Sequence, residues 1–350
     1  MRKREGARGT SNNGGNIHVH TEIPINNPIL IPSRIPSPPP IPIAPLEIRD
    51  AVFTELIRLS PAAKYRSELV YGPSGLYARG LTEKHALTLG ALPPTQDERT
   101  TLATALNDYV HKSFPHYARL YGTGVIGIPG FWQDPSGRVH IWKLHNYRMP
   151  ILVIPYKNRD GLIQACQIRL HENDLPAGEK RYRWLASPSE PCGTSSGTPI
   201  HFTFAPAILP PGETVVITEG RLKAETVVHH RPKAHVIATT GVSCSHDLII
   251  EAARPYNALI AFDSDHRINR FVCRQLARLI ARRFADSTQH KLSTTTTILF
   301  WEGPKGIDEA VLQNVVLRIK TIPEWYETLK SEPREEVQRF WREIDFQSPG

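Results

Sequence analysis

The chain has 350 residues, which is enough for about two domains and for a hydrophobic core that needs no disulfide bonds. Its 42 Lys and Arg residues outnumber its 34 Asp and Glu residues, and the net charge of +8 weakly favours a polyanionic partner such as nucleic acid. The apolar runs are too short for a membrane span, which needs ~18 apolar residues. A polar stretch follows the basic start, which excludes a secretory signal, and the lack of any CxxC pair excludes a zinc ribbon.

Residues 1–45 and 46–122 differ sharply in composition. The first segment is polar and carries nine prolines between positions 21 and 45, so we expect a disordered, extended tail that acts as a tether or as a ligand for a proline-recognising groove. The second segment is predicted to be a small helical module of the helix-turn-helix sort. It has apolar residues at helical spacing, a candidate N-cap at Thr82 and a further predicted helix over 96–120.

Residues 123–205 are predicted to be rich in β-structure. An apolar run over 151–156 and a β-forming run over 162–170 flank Asp160-Gly161, a pair that is typical of a hairpin turn. We therefore predict an antiparallel hairpin in this segment.

Residues 206–321 show the most regular pattern in the chain. The predicted strands span 214–217, 234–239, 258–262 and 294–300, and the predicted helices span 221–230, 245–254, 268–285 and 308–320. Strands that alternate with helices form a parallel sheet with crossover connections. We therefore predict an α/β domain whose parallel sheet of about four strands is flanked by helices.

Acidic side chains follow the predicted strands. Glu219 comes directly after the first strand, and Asp263 and Asp265 come directly after the third. Because the carboxyl ends of parallel strands lie at one edge of a sheet, we expect these carboxylates to meet there. Carboxylate oxygens are hard ligands that suit Mg²⁺ or Mn²⁺, and a shared ion would offset their mutual repulsion.

The alternative interpretation of these acids is a set of helix N-caps that face solvent, and for Asp308 the two interpretations are equally good. The metal interpretation requires that two geometric conditions are met. Glu219, Asp263 and Asp265 must lie close enough to share one ion, and no cation of the protein itself must lie among them.

These motifs resemble the Toprim domain, which bacterial replicative primases, topoisomerases and some nucleases share. Its pattern is a hydrophobic strand ending in Glu-Gly, seen here at 215–220, and a strand ending in Asp-x-Asp, seen here at 262–265. The wider match is to a primase-like family of plasmid, phage and integrative-element replication proteins. Motifs of that family occur at 79–82, 128–131, 180–188, 219–224, 263–269 and 305–309.

The resemblance implies a Toprim-type parallel sheet preceded by a mixed α+β, primase-like N-terminal subdomain. It implies that Glu219 is a general base or a metal-proximal acid, that Asp263 and Asp265 are ligands of Mg²⁺ or Mn²⁺, and that Asp308 is an outer ligand. The implied function is metal-dependent, primase-like nucleotidyl transfer on single-stranded DNA during replication of a plasmid or mobile element. The expected partners are single-stranded DNA and nucleotides, and the expected location is the cytoplasm.

Two other functions remain open. A Toprim nuclease would use the same metal chemistry for hydrolysis, and a non-catalytic DNA-binding replication factor would need no metal. Three features distinguish the chain from replicative primases. No zinc ribbon precedes the core, the second acidic pair is Asp308-Glu309, and His266-Arg267 follow the Asp-x-Asp motif.

Basic side chains provide the candidate contacts to nucleic acid. Lys180, Arg181 and Arg183 alternate with two aromatic residues, and such a mixture either clamps phosphates and stacks bases or forms the solvated face of a strand. Lys223 and Lys305, beside the acids, belong to the same predicted set.

Five arginines form a predicted stripe along one helix. They recur every three or four residues and therefore share one helix face: Arg267, Arg270, Arg274, Arg278 and Arg282. A polyanion along this face would relieve the repulsion between like charges, whereas the alternative is a solvated face. Residues 322–350 form a predicted helical tail that docks on the core or, alternatively, on a replicative helicase or another replication protein.

Overall fold

The computed structural model describes residues 41–175 and 178–344, together with two short strands near the start of the chain. These strands, β1 (Gly9–Thr10) and β2 (Asn16–Ile17), pair in antiparallel fashion. The chain divides into two compact units, Met1–Pro39 and Pro40–Gly350. Most of the predicted proline-rich tail lies outside the described residues.

The second unit begins with a mixed α+β part, residues 41–200, which we call the N-terminal lobe. Its helices and strands are, in chain order, α1 (Leu46–Leu59), α2 (Glu83–Ala86), β3 (Gly90–Leu92), α3 (Gln96–Ser113), α4 (Pro115–Tyr121), β4 (Phe131–Gln133), β5 (Val139–Ile141), β6 (Ile151–Lys157), β7 (Ile163–Arg169) and β8 (Tyr182–Trp184). Short 3₁₀ turns occur at Ala62–Tyr65 and Tyr77–Arg79. The helix predicted over 96–120 is split in two because Pro115 begins a new helix.

One antiparallel sheet organises the N-terminal lobe. Its strand order is β3-β6-β7-β8, and β6 and β7 form the predicted hairpin around Asp160-Gly161. Helix α1 packs on this sheet, and α3 packs on β5, which forms a second, two-stranded sheet with β4. Phe53, Leu106 and Ile168 are buried in the same core. Residues 46–122 therefore differ from the separate helical module expected from their periodicity. Strand β3 pairs with β6, and the helices bury their apolar faces against strands that follow position 123.

Residues 201–344, the C-terminal lobe, contain the α/β part. Its elements are β9 (His201–Phe202), β10 (Thr214–Glu219), α5 (Arg221–His230), β11 (Val236–Thr239), α6 (His246–Ala253), β12 (Asn257–Ala261), α7 (Arg270–Gln289), β13 (Thr296–Phe300), α8 (Ile307–Leu312), β14 (Arg318–Lys320), α9 (Ile322–Glu327) and α10 (Ser331–Glu343). The sheet order is β14-β13-β12-β10-β11-β9. Its four central strands are parallel, as the sequence predicts, and both edge strands are antiparallel.

The fourth predicted helix, over 308–320, is wrong in its second half. Helix α8 ends at Leu312, and Asn314 then adopts a positive φ of 52°, which stops the helix. The following β-branched run turns into β14, which pairs with β13 and covers one edge of the sheet.

The C-terminal helices dock on the core, as expected. Trp325, Leu329 and Val337 are buried in the same cluster as Leu276 and Ile298, and α10 lies along α7. None of the helices in the described ranges is long and apolar enough to cross a membrane.

Candidate active site at the strand ends

Glu219 and Asp263 meet at the carboxyl ends of two neighbouring parallel strands. Strands β10 and β12 pair in register, with Thr218 opposite Ala261, so Glu219 at the end of β10 and Asp263 just after β12 lie side by side. A carboxylate oxygen of Glu219 accepts a hydrogen bond from the backbone N–H of Asp263 at 3.3 Å. Gly220 follows with a positive φ of 81°, a conformation that favours glycine and lets the chain turn into α5.

Two lysines lie among these acids. The ammonium group of Lys223, in the first turn of α5, contacts Oδ1 of Asp263. Lys305, which precedes α8, places its Nζ 2.8 Å from Oδ2 of Asp265 and 4.0 Å from Oδ2 of Asp263. The second condition set out for a metal site, that no cation of the protein lies among the carboxylates, is therefore not met.

The arrangement of these side chains does not fit a divalent metal ion. Within the described ranges, no group of three or more His, Cys, Asp or Glu residues is placed to hold one. The two ammonium groups engage the carboxylate oxygens that an ion would need. The magnesium site at Glu219, Asp263, Asp265 and Asp308 stays a prediction from the sequence.

Glu219 has the most perturbed acidity in the cluster. Burial, reinforced by the negative charge of Asp263, raises its pKa from 4.5 to about 7, although the positive charge of Lys223 opposes that rise. A carboxyl group with this pKa exchanges its proton near neutral pH, which is the property required of a general acid or base. Lys305 shows the complementary effect, since its hydrogen bond to Asp265 raises the pKa of its ammonium group.

Asp308 is buried and paired with an arginine of the other lobe. Its Oδ2 lies 3.2 Å from the guanidinium of Arg79, and only 6% of its side chain is exposed. Gly306 provides the necessary room, because a Cβ atom there would meet Oδ1 of Asp308 at 2.3 Å and Cε of Lys223 at 3.4 Å. Asp308 thus lies next to the Lys223–Asp263 pair, with its own charge balanced by Arg79.

A cavity of about 200 Å³ opens beside the acids, where the two lobes meet. The N-terminal lobe contributes Arg79, Ile154, Gln167 and Tyr182, and the C-terminal lobe contributes Glu219, Gly220, Arg221, Leu222, Lys223 and Thr240. Three cations therefore line a cavity with a single carboxylate. Each of these cations also has a carboxylate partner, Asp308 for Arg79, Glu225 for Arg221 and Asp263 for Lys223, so a phosphate in the cavity would have to compete with those partners.

Arg221 and its partners connect the lobes at the base of this cavity. Its backbone N–H donates to the hydroxyl of Tyr156 at 3.3 Å, and its guanidinium donates to the carbonyl of Pro155 and to Glu225. The buried ring of His201 lies 3.4 Å from Glu225. Burial lowers the pKa of His201 to about 4, whereas Arg221 and His201 lower that of Glu225.

The structure assigns Arg79 and Arg221 to the site, although neither was among the candidate residues. Arg79 opens the 79–82 motif, which was a usable signal. Its partner Asp308 lies 229 positions away, and no periodicity connects two residues at that distance.

Three solved structures share this architecture over most of the chain. A DNA primase domain from Pseudomonas aeruginosa matches with a TM-score of 0.53 and 16% identity, over 87% of this chain and 97% of that one. The E. coli primase catalytic core matches with a TM-score of 0.52 and 15% identity, over 86% and 85%. The RNA polymerase domain of Mycobacterium tuberculosis primase DnaG, solved with double-stranded DNA, matches with a TM-score of 0.51 and 15% identity, over 84% and 90%.

The chain has a primase-like fold. At these identities the likeness concerns the fold alone. No protein-family model and no curated protein sequence matches the chain.

In the N-terminal lobe of this primase-like fold, two of the three predicted nucleic-acid contacts have acidic partners. Arg181 lies 2.9 Å from Glu172, and Arg183 pairs with Glu179. Lys180 is exposed to solvent. A phosphate at Arg181 or Arg183 would have to compete with a carboxylate, which weakens both as primary contacts.

Most arginines of the predicted stripe on α7 contact other side chains of the protein. Helix α10 lies along it, and Arg270 and Arg274 pair with glutamates of that helix, Glu332 at 3.3 Å and Glu336 at 2.8 Å. Arg282 pairs with an aspartate of α6, and Arg267 lies over the ring of Phe300. Arg278 is exposed. Acidic side chains of the protein thus neutralise part of the positive charge of the stripe, and α10 packs against it.

Proposed function

We propose that the chain is a primase-like nucleotidyltransferase that joins nucleotides on single-stranded DNA, with its reaction centre at Glu219, Asp263 and Asp265. The observation that carries this proposal is the meeting of Glu219 and Asp263 at the ends of two parallel strands, beside a cationic cavity between the lobes. A primase-like fold agrees with it. In sheets of this kind, ligands bind beyond the carboxyl ends of the strands.

The residues at the cavity suit phosphoryl chemistry. Arg79 and Lys223 would bind the phosphates of an incoming nucleotide and stabilise negative charge that develops during transfer. Glu219, whose pKa is about 7, would accept the proton of the attacking hydroxyl. Mg²⁺ or Mn²⁺ remains the proposed cofactor, and to bind at Asp263 and Asp265 it would have to displace Lys223 and Lys305 from their carboxylates.

The test is a nucleotide-incorporation assay on single-stranded DNA with Mg²⁺ or Mn²⁺. Asp263→Ala should abolish synthesis because it removes the central carboxylate, and circular dichroism checks that the variant folds without the Asp263–Lys223 ion pair. Asp108→Ala, at an exposed position of α3, is the matched control and should retain full synthesis. Synthesis by the Asp263 variant at the level of the control would refute the assignment.

The same preparation separates hydrolysis from synthesis. The chain is incubated with labelled DNA and Mn²⁺ in the absence of nucleotides. Cleavage that depends on Asp263 would replace the synthetic assignment with that of a Toprim nuclease. Replication of a plasmid or mobile element remains the proposed setting for the synthetic activity.

A second candidate is a non-catalytic DNA-binding replication factor, and one observation favours it. Lys223 and Lys305 neutralise Asp263 and Asp265, which produces a closed, charge-balanced surface without a metal. This function predicts DNA binding that weakens with salt and is unchanged by EDTA. Paired titrations of DNA with Mg²⁺ and with EDTA distinguish it from the enzymatic proposal.

A further inference from the structure

We infer that Tyr71 and Tyr77 form a platform on which an unpaired base of single-stranded DNA stacks beside the candidate active site. We call this pair the tyrosine platform. The inference deepens the proposed function and rests on its assignment of single-stranded DNA as the partner. The cations predicted to bind nucleic acid would contact phosphates, whereas this pair would contact a base.

A glycine-containing turn brings the two tyrosines together. The segment from Tyr71 to Tyr77 reads Tyr-Gly-Pro-Ser-Gly-Leu-Tyr, and the N–H of Gly75 donates to the carbonyl of Gly72 at 2.7 Å. A Cβ atom at Gly75 would lie 2.4 Å from the carbonyl oxygen of Val70, so a larger residue does not fit there. The turn places the centroids of the two rings 4.8 Å apart.

The turn is supported by the hydrophobic core. Leu76, the residue before Tyr77, is fully buried and belongs to the same cluster as Leu69 and as Leu222 of the C-terminal lobe. The N–H of Leu76 also donates to the carbonyl of Leu69 at 3.0 Å. Packing and hydrogen bonding therefore fix the backbone under the platform, and a base that stacks there does not have to order a loop first.

Both tyrosines remain open to solvent. Each is 51% exposed, although the two rings contact each other. The hydroxyl of Tyr71 donates to Oε1 of Glu83 at 2.5 Å, which anchors the polar end of that ring. Two half-exposed rings in contact form an aromatic surface that a flat nucleobase can cover, because every base has a π-face.

The tyrosine platform adjoins the candidate active site. Tyr77 begins the 3₁₀ turn Tyr77–Arg79, and Arg79 lines the same cavity as Glu219. The Cα atoms of Tyr77 and Arg79 are at most ~7.6 Å apart, because adjacent Cα atoms are ~3.8 Å apart. A single strand that occupies the cavity can therefore place a neighbouring base on the platform.

The charges around the platform indicate how it would bind. Arg66 and Arg79, the cations nearest to it along the chain, already pair with Glu83 at 3.2 Å and with Asp308 at 3.2 Å. A phosphate would have to compete with these carboxylates, so the platform would bind through its rings and not through charge. Its contribution to affinity should therefore be independent of salt.

The experiment compares two labelled oligomers of equal length, an oligothymidylate and a chain of abasic nucleotides, by fluorescence anisotropy with the full chain in EDTA. The two oligomers carry the same phosphates, so the difference between their affinities reports the bases alone. The wild type should bind the oligothymidylate at least about fivefold more tightly than the abasic oligomer, and this ratio should stay constant over a salt series.

Three variants locate the preference for bases. The double variant Tyr71→Leu, Tyr77→Leu keeps apolar side chains but removes both rings, and it should bind the two oligomers alike. The double variant Tyr71→Phe, Tyr77→Phe keeps the rings and should retain the wild-type preference. Leu120→Ala, at an exposed position of α4, is the remote control and should match the wild type.

Two results would overturn the inference. One is a wild type that binds both oligomers equally or binds neither, and the other is a preference for bases that survives in the leucine variant. If circular dichroism shows that this variant does not fold, Tyr77→Leu alone is compared under the same criterion. Binding is measured without nucleotides or metal, so failure here is separate from failure of the incorporation assay.

Discussion

Glu219 differs from the two aspartates beside it in what its carboxylate touches. Asp263 and Asp265 contact ammonium groups, whereas Glu219 accepts a hydrogen bond from a backbone N–H. Burial therefore dominates its acidity and raises its pKa to about 7. The position of this acid was predictable from the strand that precedes it. Its protonation was not, because burial depends on how both lobes pack around it.

This difference predicts a pH-dependent effect on stability. Glu219 ionises near pH 4.5 in the unfolded chain but only near pH 7 in the folded protein. The free energy of unfolding therefore falls as the pH rises from about 4.5 to about 7, because the folded state resists the ionisation that the unfolded state undergoes. Glu219→Gln keeps an acceptor for the N–H of Asp263 and removes this loss.

Compared with the wild type, the Glu219→Gln variant should be more stable by on the order of 1–3 kcal/mol at pH 8 and nearly equal at pH 4. Urea unfolding in EDTA at both pH values measures the two differences. An equal difference at pH 4 and pH 8 would show that Glu219 titrates normally in the folded state.

Elements whose ends carry local signals were predicted closely, and elements defined by tertiary pairing were not. Helix α5 begins directly after Gly220 and spans Arg221–His230, so it matches its predicted bounds. Strand β14 has three residues, and only its pairing with β13 makes it a strand. Likewise, the arginine spacing on α7 was real, but no sequence pattern shows that α10 covers that face.

The covering helix predicts that Arg274 contributes little to nucleic-acid binding. Its guanidinium already pairs with Glu336, so Arg274→Ala should change the affinity for single-stranded DNA by less than about twofold and leave the salt dependence unchanged. Lys180→Ala, which removes an exposed cation among the predicted nucleic-acid contacts, should weaken the same binding by about threefold or more.

Fluorescence anisotropy over a salt series measures both variants against the wild type. A tenfold loss for Arg274→Ala, with a salt slope reduced by about one, would instead make α7 a nucleic-acid surface. Arg159→Ala, at an exposed position of the turn between β6 and β7, is the matched control and should keep the wild-type affinity.

At the scale of the whole molecule, the candidate site depends on contacts between the two lobes. Arg79 of the N-terminal lobe pairs with Asp308, and its carbonyl accepts a hydrogen bond from Thr226 at 2.9 Å. Tyr156, also in the N-terminal lobe, accepts a hydrogen bond from the backbone N–H of Arg221. The cavity exists only while these contacts hold, so the site should be lost when the lobes separate.

Tyr156 therefore provides a test of whether the lobes unfold together. Its buried hydroxyl donates to Oε1 of Gln167 at 3.0 Å and accepts from the N–H of Arg221 at 3.3 Å. Tyr156→Phe leaves both groups without this partner and should destabilise the fold by about 1–3 kcal/mol. Because Tyr156 contacts both lobes, tryptophan fluorescence and far-ultraviolet circular dichroism should shift to lower urea by the same amount. Separate transitions for the two signals would mean that the lobes fold independently and that the cavity forms only after they dock.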